Sequence, residues 1–275
     1  MKKIVRLLFV FVFLLTITAC KTNDTIIVYT EAGFAPFEYI KDGKITGVDI
    51  DIMNEVGKKL GKKIQFENVS FDVIVDTIAL GKLANIGAAG LSVTEARLAK
   101  VDFSKVYYQA NLYVIYDVEN EDNLKHLMTD GNYGVYWSSI KTDKGIAVQP
   151  GTTADLFLSD EVKKGGLLEG TKVNFFSSLD TAVSDINLNS DFVIIDELPA
   201  KKLIQGKDNL KCLPLYYEGV DGEDDELAFD EYAICVTKGQ DELLKAINEV
   251  LTEFLSKEEN GINGIQALVN KHLGL

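Results

Sequence analysis

The segment that decides the fold begins at Thr25 and contains a strand, a helix and a second strand. The apolar runs "TIIVYT" (Thr25–Thr30) and "IQFENVS" (Ile64–Ser70) have the length and composition of short strands. Between them, "GVDIDIMNEVGKKLGKK" (Gly47–Lys63) repeats apolar residues at helical spacing. This order is typical of α/β proteins, in which a crossover helix joins two parallel strands.

The same alternation continues along the chain and restarts near its middle. Further strands are predicted at "NIGAAG", "LYVIYDV", "GIAV", "KVNFF", "DFVIID" and "EYAICVTK", and further helices at "FDVIVDTIALGKL", "SVTEARLA", "TADLFLSDEV", "SLDTAVSDIN", "ELPAKKLI", "QDELLKAINEVLTEFLSK" and "GINGIQALVNKHL". Two similar units, with a last segment that rejoins the first unit, predict a two-lobed α/β fold with mostly parallel sheets. The chain is expected to cross between lobes twice, near residues 112–118 and 228–236. We therefore expect lobe 1 over residues 26–113 and 232–275, and lobe 2 over residues 114–231.

The composition excludes one class of partner. The chain of 275 residues has 28 Lys and Arg against 42 Asp and Glu, which gives a formal net charge of −14. A surface of this sign repels nucleic acid and anionic lipid, so nucleic-acid binding is not expected. With 47% hydrophobic residues, the chain can bury a core in one or two globular domains.

The N-terminal residues are typical of a secretion signal. A basic start precedes the apolar run "LLFVFVFLLTI" (Leu7–Ile17), which is too short to span a membrane. The run ends in "ITAC", and a small residue directly before Cys20 resembles the bacterial lipoprotein box, in which the cysteine is acylated after cleavage. We expect a signal peptide over residues 1–19, a lipidated tether, palmitate included, over residues 20–25, and a protein anchored on the extracytoplasmic face of the cell membrane. An ordinary signal peptide with an incidental cysteine is the alternative.

The remaining cysteines and the histidines indicate little chemistry. Cys212 and Cys235 lie in strand-like runs and are compatible either with a disulfide or with two separate thiols. The spacing of the cysteines and of His126 and His272 does not suggest a metal site or a catalytic triad, and we predict neither metal nor cofactor. The polar stretch 117–146 contains three aromatic residues that could line a cleft or pack in a surface loop, namely Tyr133, Tyr136 and Trp137.

Four segments follow predicted strands at the edge where parallel sheets bind ligands, and the first two contain an aromatic ring and an arginine. "TEAGFAPFEY" (30–39) places Phe34 in a tight turn, where its ring either faces a ligand or packs in the core. "GLSVTEARLAKVDFS" (90–104) supplies the Ser92 hydroxyl and the Arg97 guanidinium, whose planar fork suits a carboxylate. A surface salt bridge from Arg97 to a neighbouring carboxylate, Glu95 or Asp102, is the alternative.

The other two segments supply a helix N-terminus and a carboxylate. "QPGTTADLF" (149–157) places Thr152 and Thr153 between a strand and a helix, where amides and hydroxyls bind an anion or simply cap the helix. "FVIIDELP" (192–199) ends a strand at Asp196, which would hold an ammonium group or cap the next helix. The four segments together match an α-amino acid zwitterion and lack a nucleophile–base pair.

Four motifs in order resemble those of the bacterial extracellular solute-binding proteins, family 3, which bind polar amino acids. They are "GFAPFEY…DGKITGVDIDIMNEVGKKLG", "GLSVTEARLAKVDFS", "VQPGTTADLFL" and "VIIDELPA", and the resemblance covers roughly residues 25–270. It implies two lobes of the type II periplasmic-binding-protein-like fold that close on the ligand. The positions that match the family assign Arg97 and Thr153 to the α-carboxylate, Ser92 and Asp196 to the α-ammonium, and Phe34 to the ligand side chain.

The resemblance implies further contacts and shows some departures. Gly90 and Thr152 complete the predicted binding residues. Glu31 occupies a position where some relatives place an acidic residue near the ligand side chain, which points to a cationic ligand side chain; a solvated glutamate is the alternative. Phe34 replaces a frequent tyrosine and therefore lacks its hydroxyl, and Asn85 is unusual before its strand.

We therefore expect a monomeric, lipid-anchored substrate-binding protein of an amino-acid ABC importer, without enzymatic activity. It would bind one amino acid between its lobes and deliver it to the membrane permease, which works with an ATPase. The fold also resembles that of periplasmic cyclohexadienyl dehydratases, in which Glu31 would have to serve as the general acid. An amino-acid sensor domain is the third reading.

Overall fold

The helices of this computed structural model, which describes residues 24–275, lie close to the predicted segments. The predicted signal peptide, the predicted lipidation site Cys20 and most of the tether lie outside the described residues. The helices are α1 (Val48–Leu60), α2 (Phe71–Leu80), α3 (Glu95–Leu98), α4 (Glu121–Leu124), α5 (Thr153–Glu161), α6 (Leu179–Ser184), α7 (Glu197–Leu203), α8 (Asp241–Ser256) and α9 (Gly264–Leu273), with 3-10 turns at Val118–Asn120 and Trp137–Ile140. No helix among the described residues is long and apolar enough to span a membrane.

The strands form two large sheets and two small ones. They are β1 (Thr25–Thr30), β2 (Gly33–Phe34), β3 (Glu38–Lys41), β4 (Lys44–Thr46), β5 (Lys63–Asn68), β6 (Ile86–Gly87), β7 (Asp102–Phe103), β8 (Tyr108–Asp117), β9 (His126–Leu127), β10 (Tyr133–Tyr136), β11 (Ile146–Val148), β12 (Val173–Phe175), β13 (Phe192–Asp196), β14 (Leu210–Tyr217), β15 (Glu226–Leu227), β16 (Phe229–Tyr232), β17 (Cys235–Val236), β18 (Glu258–Glu259) and β19 (Ile262–Asn263).

The first large sheet has the strand order β5–β1–β6–β17–β7. Alternate residues of β1 point to opposite faces, so that Val28 belongs to a core shared with α1, α8 and α9, while Ile27 packs in a core shared with α2. β1 is parallel to β5 and β6, whereas β17 is antiparallel to both of its neighbours. This sheet therefore contains the first strands of the chain and one of the last.

The second large sheet has the strand order β12–β11–β13–β8–β14–β10–β9. Successive residues of its strands again point to opposite faces of the sheet. On one face Val114 and Ile194 lie in a core with α5, and on the other Ile115 and Ile195 lie in a core with α6 and α7. β8 is antiparallel to both β13 and β14. The expectation of mostly parallel sheets is thus only partly met, because the strand that enters this sheet from the first one runs against its neighbours.

A two-stranded ribbon joins the sheets. The first residues of β8 pair antiparallel with β16, from Tyr108 opposite Tyr232 to Asn111 opposite Phe229. The later residues of β8, from Leu112, pair within the second sheet. Both passages of the chain between the sheets therefore lie side by side.

The structure decides two questions that the sequence left open, namely whether Trp137 lines a cleft and whether Cys212 and Cys235 form a disulfide. Trp137 is buried in the core of the second sheet, with its ring centroid 4.2 Å from that of Phe157, so it does not line a cleft. Cys212 lies in the second sheet and Cys235 in the first, and both thiols are free.

Candidate functional site

A small cavity lies between the two sheets, beside the ribbon. Its volume is about 30 Å³, enough for roughly two water molecules. Seven of the eight binding residues predicted from the sequence line it, and they are Glu31, Phe34, Gly90, Ser92, Thr152, Thr153 and Asp196. The wall is completed by residues that sequence analysis did not select, among them Phe71, Gln149 and Asp230. The structure therefore brings together side chains that lie far apart in the chain.

Arg97 lies just behind this wall and bridges the two sheets. Thr94 caps α3 by accepting a hydrogen bond from the Arg97 amide, which orients the buried side chain. The guanidinium donates from Nη1 to the Ser92 carbonyl oxygen at 2.6 Å and from Nη2 to the Gly151 carbonyl oxygen at 2.9 Å. Among the described residues it forms no salt bridge with Glu95 or Asp102, so the surface-pair alternative is wrong. Arg97 does not itself line the cavity in this conformation.

The N-terminus of α5 meets the cavity from the second sheet. Thr152 is the N-cap residue, since its hydroxyl accepts from the Asp155 amide at 3.2 Å and donates to the Gln149 carbonyl at 2.8 Å. Thr153, the first residue of the helix, turns its hydroxyl towards the ribbon and donates to Asp230 Oδ2 at 2.6 Å. The backbone N–H groups of this first turn supply the positive end of the helix dipole, which favours an anion.

Asp196 ends β13 at the opposite wall. It stands at the N-cap position of α7, yet its side chain makes no capping hydrogen bond, so the capping alternative is wrong. The carboxylate is buried with the Tyr232 hydroxyl beside it, and among the described residues no hydrogen bond of ordinary geometry reaches its Oδ1 atom. Burial and the nearby charge of Asp230 raise its pKa well above the usual range. A buried carboxylate with an unpaired oxygen is suited to a cationic group.

Asp230 is a second buried carboxylate in the wall, on the β16 strand of the ribbon. Burial raises its pKa, while hydrogen bonds from the Thr153 and Ser92 hydroxyls and the charge of Arg97 act in the opposite direction. Sequence reasoning missed this residue. The sequence feature that could have revealed it is the two-residue alternation of the strand "FDEY", in which Asp230 and Tyr232 are buried while Phe229 and Glu231 are exposed.

Asp49 is a third buried carboxylate, and it holds the Gly90 turn that lines the cavity. It accepts hydrogen bonds from the Tyr107 hydroxyl at 2.5 Å and from the Gly90 amide at 3.0 Å. Gly90 adopts φ +53°, and a Cβ there would lie 2.9 Å from the Phe34 ring, so this turn requires glycine. Burial raises the pKa of Asp49 to about 6. Asp49 therefore fixes the turn on which the predicted Gly90 contact lies.

The remaining wall combines aromatic and polar side chains. The Phe34 ring packs against Phe37 and Tyr232, with centroid distances of 6.0 and 6.2 Å, and one side of it faces the cavity. Glu31 lies beside Gln149, and burial raises its pKa while the hydrogen bond with Gln149 lowers it. These side chains complete the wall of the cavity.

The chain resembles known amino-acid-binding proteins in sequence. The family model for bacterial extracellular solute-binding proteins, family 3, matches residues 26–267. A probable histidine-binding protein of Campylobacter jejuni is 30% identical over 215 residues, which cover 76% of this chain and 74% of that protein.

Solved structures agree with this assignment. An ancestral arginine-binding protein bound to arginine superposes with a TM-score of 0.72 and 29% identity, over 91% of this chain and 99% of that one. Holo ArgBP from T. maritima gives a TM-score of 0.71 at 26% identity, over 92% and 97% of the two chains. The likeness confirms the predicted two-lobed α/β fold. The chain belongs to the bacterial extracellular solute-binding proteins, family 3.

Proposed function

We propose that this protein binds an α-amino acid as a zwitterion in the cavity between its lobes and delivers it to the permease of an ABC importer. The observation that carries the proposal is the convergence of three kinds of group on one cavity. The N-terminus of α5, with the Arg97 guanidinium just behind the wall, suits an anion, the buried carboxylates suit a cation, and an aromatic ring suits an apolar group. Arg97, Asp196 and Phe34 represent these groups.

The α-carboxylate of the ligand is assigned to the Arg97 end. The guanidinium already lies within 2.9 Å of the Gly151 carbonyl, next to the first turn of α5, so one carboxylate can reach both. Such a contact needs both lobes, and a ligand shifts the lobes towards closure only through contacts that it makes better in the closed state.

The α-ammonium is assigned to Asp196, with the Ser92 hydroxyl beside it. Binding a cation there would remove the cost of a buried carboxylate whose Oδ1 atom has no partner among the described residues. Phe34 then stacks on the ligand side chain, and Glu31 and Gln149 bound its far end.

The balance of charge favours a ligand with a cationic side chain. Glu31, Asp196 and Asp230 line the cavity, and Arg97 is the cationic side chain that adjoins it among the described residues. Burial raises the pKa of these three carboxyl groups, and a cationic amino acid would stabilise their ionised forms more than a neutral zwitterion would. Two of the relatives, a probable histidine-binding protein and an ancestral arginine-binding protein, have names that agree with this choice.

A thermal-shift screen of the twenty amino acids tests the proposed function, because a bound ligand raises the melting temperature by mass action. We expect a shift with at least one amino acid, followed by calorimetry. Arg97→Ala should weaken binding by about 2–5 kcal/mol, since a buried carboxylate would lose its partner. The exposed neighbour Lys100→Ala serves as the matched control and should leave the affinity unchanged. No binding of any amino acid, or equal affinities of all three proteins, would contradict the proposal. We expect no turnover of a prephenate-like compound.

The lipid anchor and the lobe boundaries belong to the same proposal. The division into residues 26–113 with 232–275 and residues 114–231 is supported by the two large sheets and their shared ribbon.

Cys20 is the proposed acylation site. Cys20→Ser should abolish incorporation of labelled palmitate in cells and move the protein from the membrane fraction to the soluble fraction; unchanged labelling would exclude this residue as the site.

A further inference from the structure

Asp230 lies in the cavity wall beside one hydroxyl from each lobe. The Thr153 hydroxyl, on α5, donates to its Oδ2 atom at 2.6 Å. The Ser92 hydroxyl, from the first sheet's side, is a second donor that lowers its pKa. The same two hydroxyls line the cavity, so the carboxylate acts on groups that a ligand would touch.

A hydroxyl has one proton to donate, and this fact determines what these residues can offer a ligand. While the proton of each hydroxyl is directed at Asp230, the oxygen presents only lone pairs to the cavity. Lone pairs accept hydrogen bonds from an ammonium group and repel a carboxylate. The polarity of this part of the wall is therefore set by Asp230, which lines the cavity beside the two hydroxyls.

We propose that Asp230 is a positioning residue that holds the Thr153 and Ser92 hydroxyls as hydrogen-bond acceptors and so makes this wall selective for the α-ammonium of the ligand. The inference rests on the proposed function. One consequence is that the α-carboxylate is held by Arg97 and the backbone N–H groups of α5, and not by the Thr153 hydroxyl.

The two carboxylates of the wall thus have different roles. Asp196 lines the cavity with an oxygen that has no partner among the described residues, and can accept the ammonium directly. Asp230 already accepts the Thr153 hydroxyl, and its effect on the ligand passes through that hydroxyl and Ser92.

Calorimetry with a matched pair of probes tests this role. The pair is L-arginine and 5-guanidinopentanoate, which has hydrogen in place of the α-ammonium; if the screen selects another amino acid, its own desamino analogue is used. Asp230→Asn should lower the affinity for the amino acid roughly tenfold or more, because the new amide can donate and lets the hydroxyls turn their protons to the cavity. The affinity for the analogue should change by less than about twofold, since it makes no ammonium contact.

A double-variant cycle separates positioning from direct contact. In a background of Ser92→Ala with Thr153→Val, adding Asp230→Asn should change the affinity by less than about twofold, because residues that act through one another are not additive. Asp117→Asn, at another buried carboxylate hydrogen-bonded by Asn187, is the control and should leave both affinities unchanged. Additive losses, or equal losses for the two probes, would overturn the positioning role and leave the proposed function standing. Failure of the unaltered protein to bind any amino acid would remove both.

Discussion

Asp49 is a buried carboxylate whose raised pKa predicts a pH-dependent contribution to stability. Its pKa is raised from 3.8 to about 6, chiefly by burial, with the Tyr107 and Gly90 hydrogen bonds acting against the shift. Near pH 5 the folded protein therefore holds a proton that the unfolded chain has released. The contribution of Asp49 to stability is present below about pH 4 and is lost as the pH rises to about 6.

Asp49→Asn should remove this pH dependence. Compared with the unaltered protein, the variant should gain about 3 kcal/mol in relative stability between pH 4 and pH 7, since one pKa unit corresponds to about 1.4 kcal/mol. Denaturant unfolding at a series of pH values measures the difference. Asp42→Asn, at an exposed hairpin position, is the control and should follow the unaltered protein. A constant difference between Asp49→Asn and the unaltered protein at all pH values would contradict the assignment.

Single residues also show where the sequence was informative. The positions of Arg97, Ser92 and Asp196 were predictable because Ser92 and Arg97 follow β6 of the first sheet and Asp196 ends β13 of the second, where strand ends bind ligands. Asp49 and Asp230 were missed, since a carboxylate on an amphipathic element is ordinarily solvated. Asp49 nevertheless lies four residues before Met53 on the buried face of α1, and this spacing was readable.

At the scale of elements, the turn between β11 and α5 comes very close to α2. Gly151 has φ +77°, and a Cβ on it would lie 3.0 Å from the Asp72 Cα atom. The carbonyl of the same residue accepts from Arg97 Nη2. The turn and α2 can therefore approach this closely only because residue 151 is a glycine and has no side chain.

Gly151→Ala should hinder closure as well as strain the backbone. The left-handed conformation alone costs about 1–2 kcal/mol for alanine. Gly165→Ala is the matched control, because Gly165 has φ +86° and a Cβ there meets nothing within 4 Å. Both variants should lose similar stability in thermal unfolding, while calorimetry should show a loss of amino-acid affinity, roughly tenfold or more, for Gly151→Ala alone. Equal affinities of the two variants would exclude a role of this contact in closure.

The elements themselves were largely predictable from periodicity, and their pairing was not. Helices α1, α2 and α8 match the predicted segments because their apolar residues recur at helical spacing. The antiparallel direction of β8 and the short strands of the stretch 117–146 were not foreseen, since strand direction depends on contacts distant in sequence.

At the scale of the whole molecule, the volume of the cavity determines how a ligand enters. About 30 Å³ accommodates roughly two water molecules and not an amino acid. For the proposed amino acid to bind here, the lobes would have to separate and close again around it.

Small-angle X-ray scattering should detect this change. The radius of gyration should fall when a saturating amino acid is added to the unaltered protein, because the ligand favours the closed state. Arg97→Ala at the same ligand concentration should keep the larger value. A radius of gyration that does not respond to a ligand bound in calorimetry would contradict closure.

The pairing of β8 with β16 has a mechanical consequence. Two separate linkers would leave the lobes free to slide and rotate independently, whereas Tyr108 to Asn111 and Phe229 to Tyr232 are hydrogen-bonded into one strip. Such a strip resists shear and stretching and yields most easily by bending and twisting as a unit. We therefore expect the lobes to move relative to each other about this paired strip as one hinge, whose torsional stiffness would contribute to the energy difference between open and closed states.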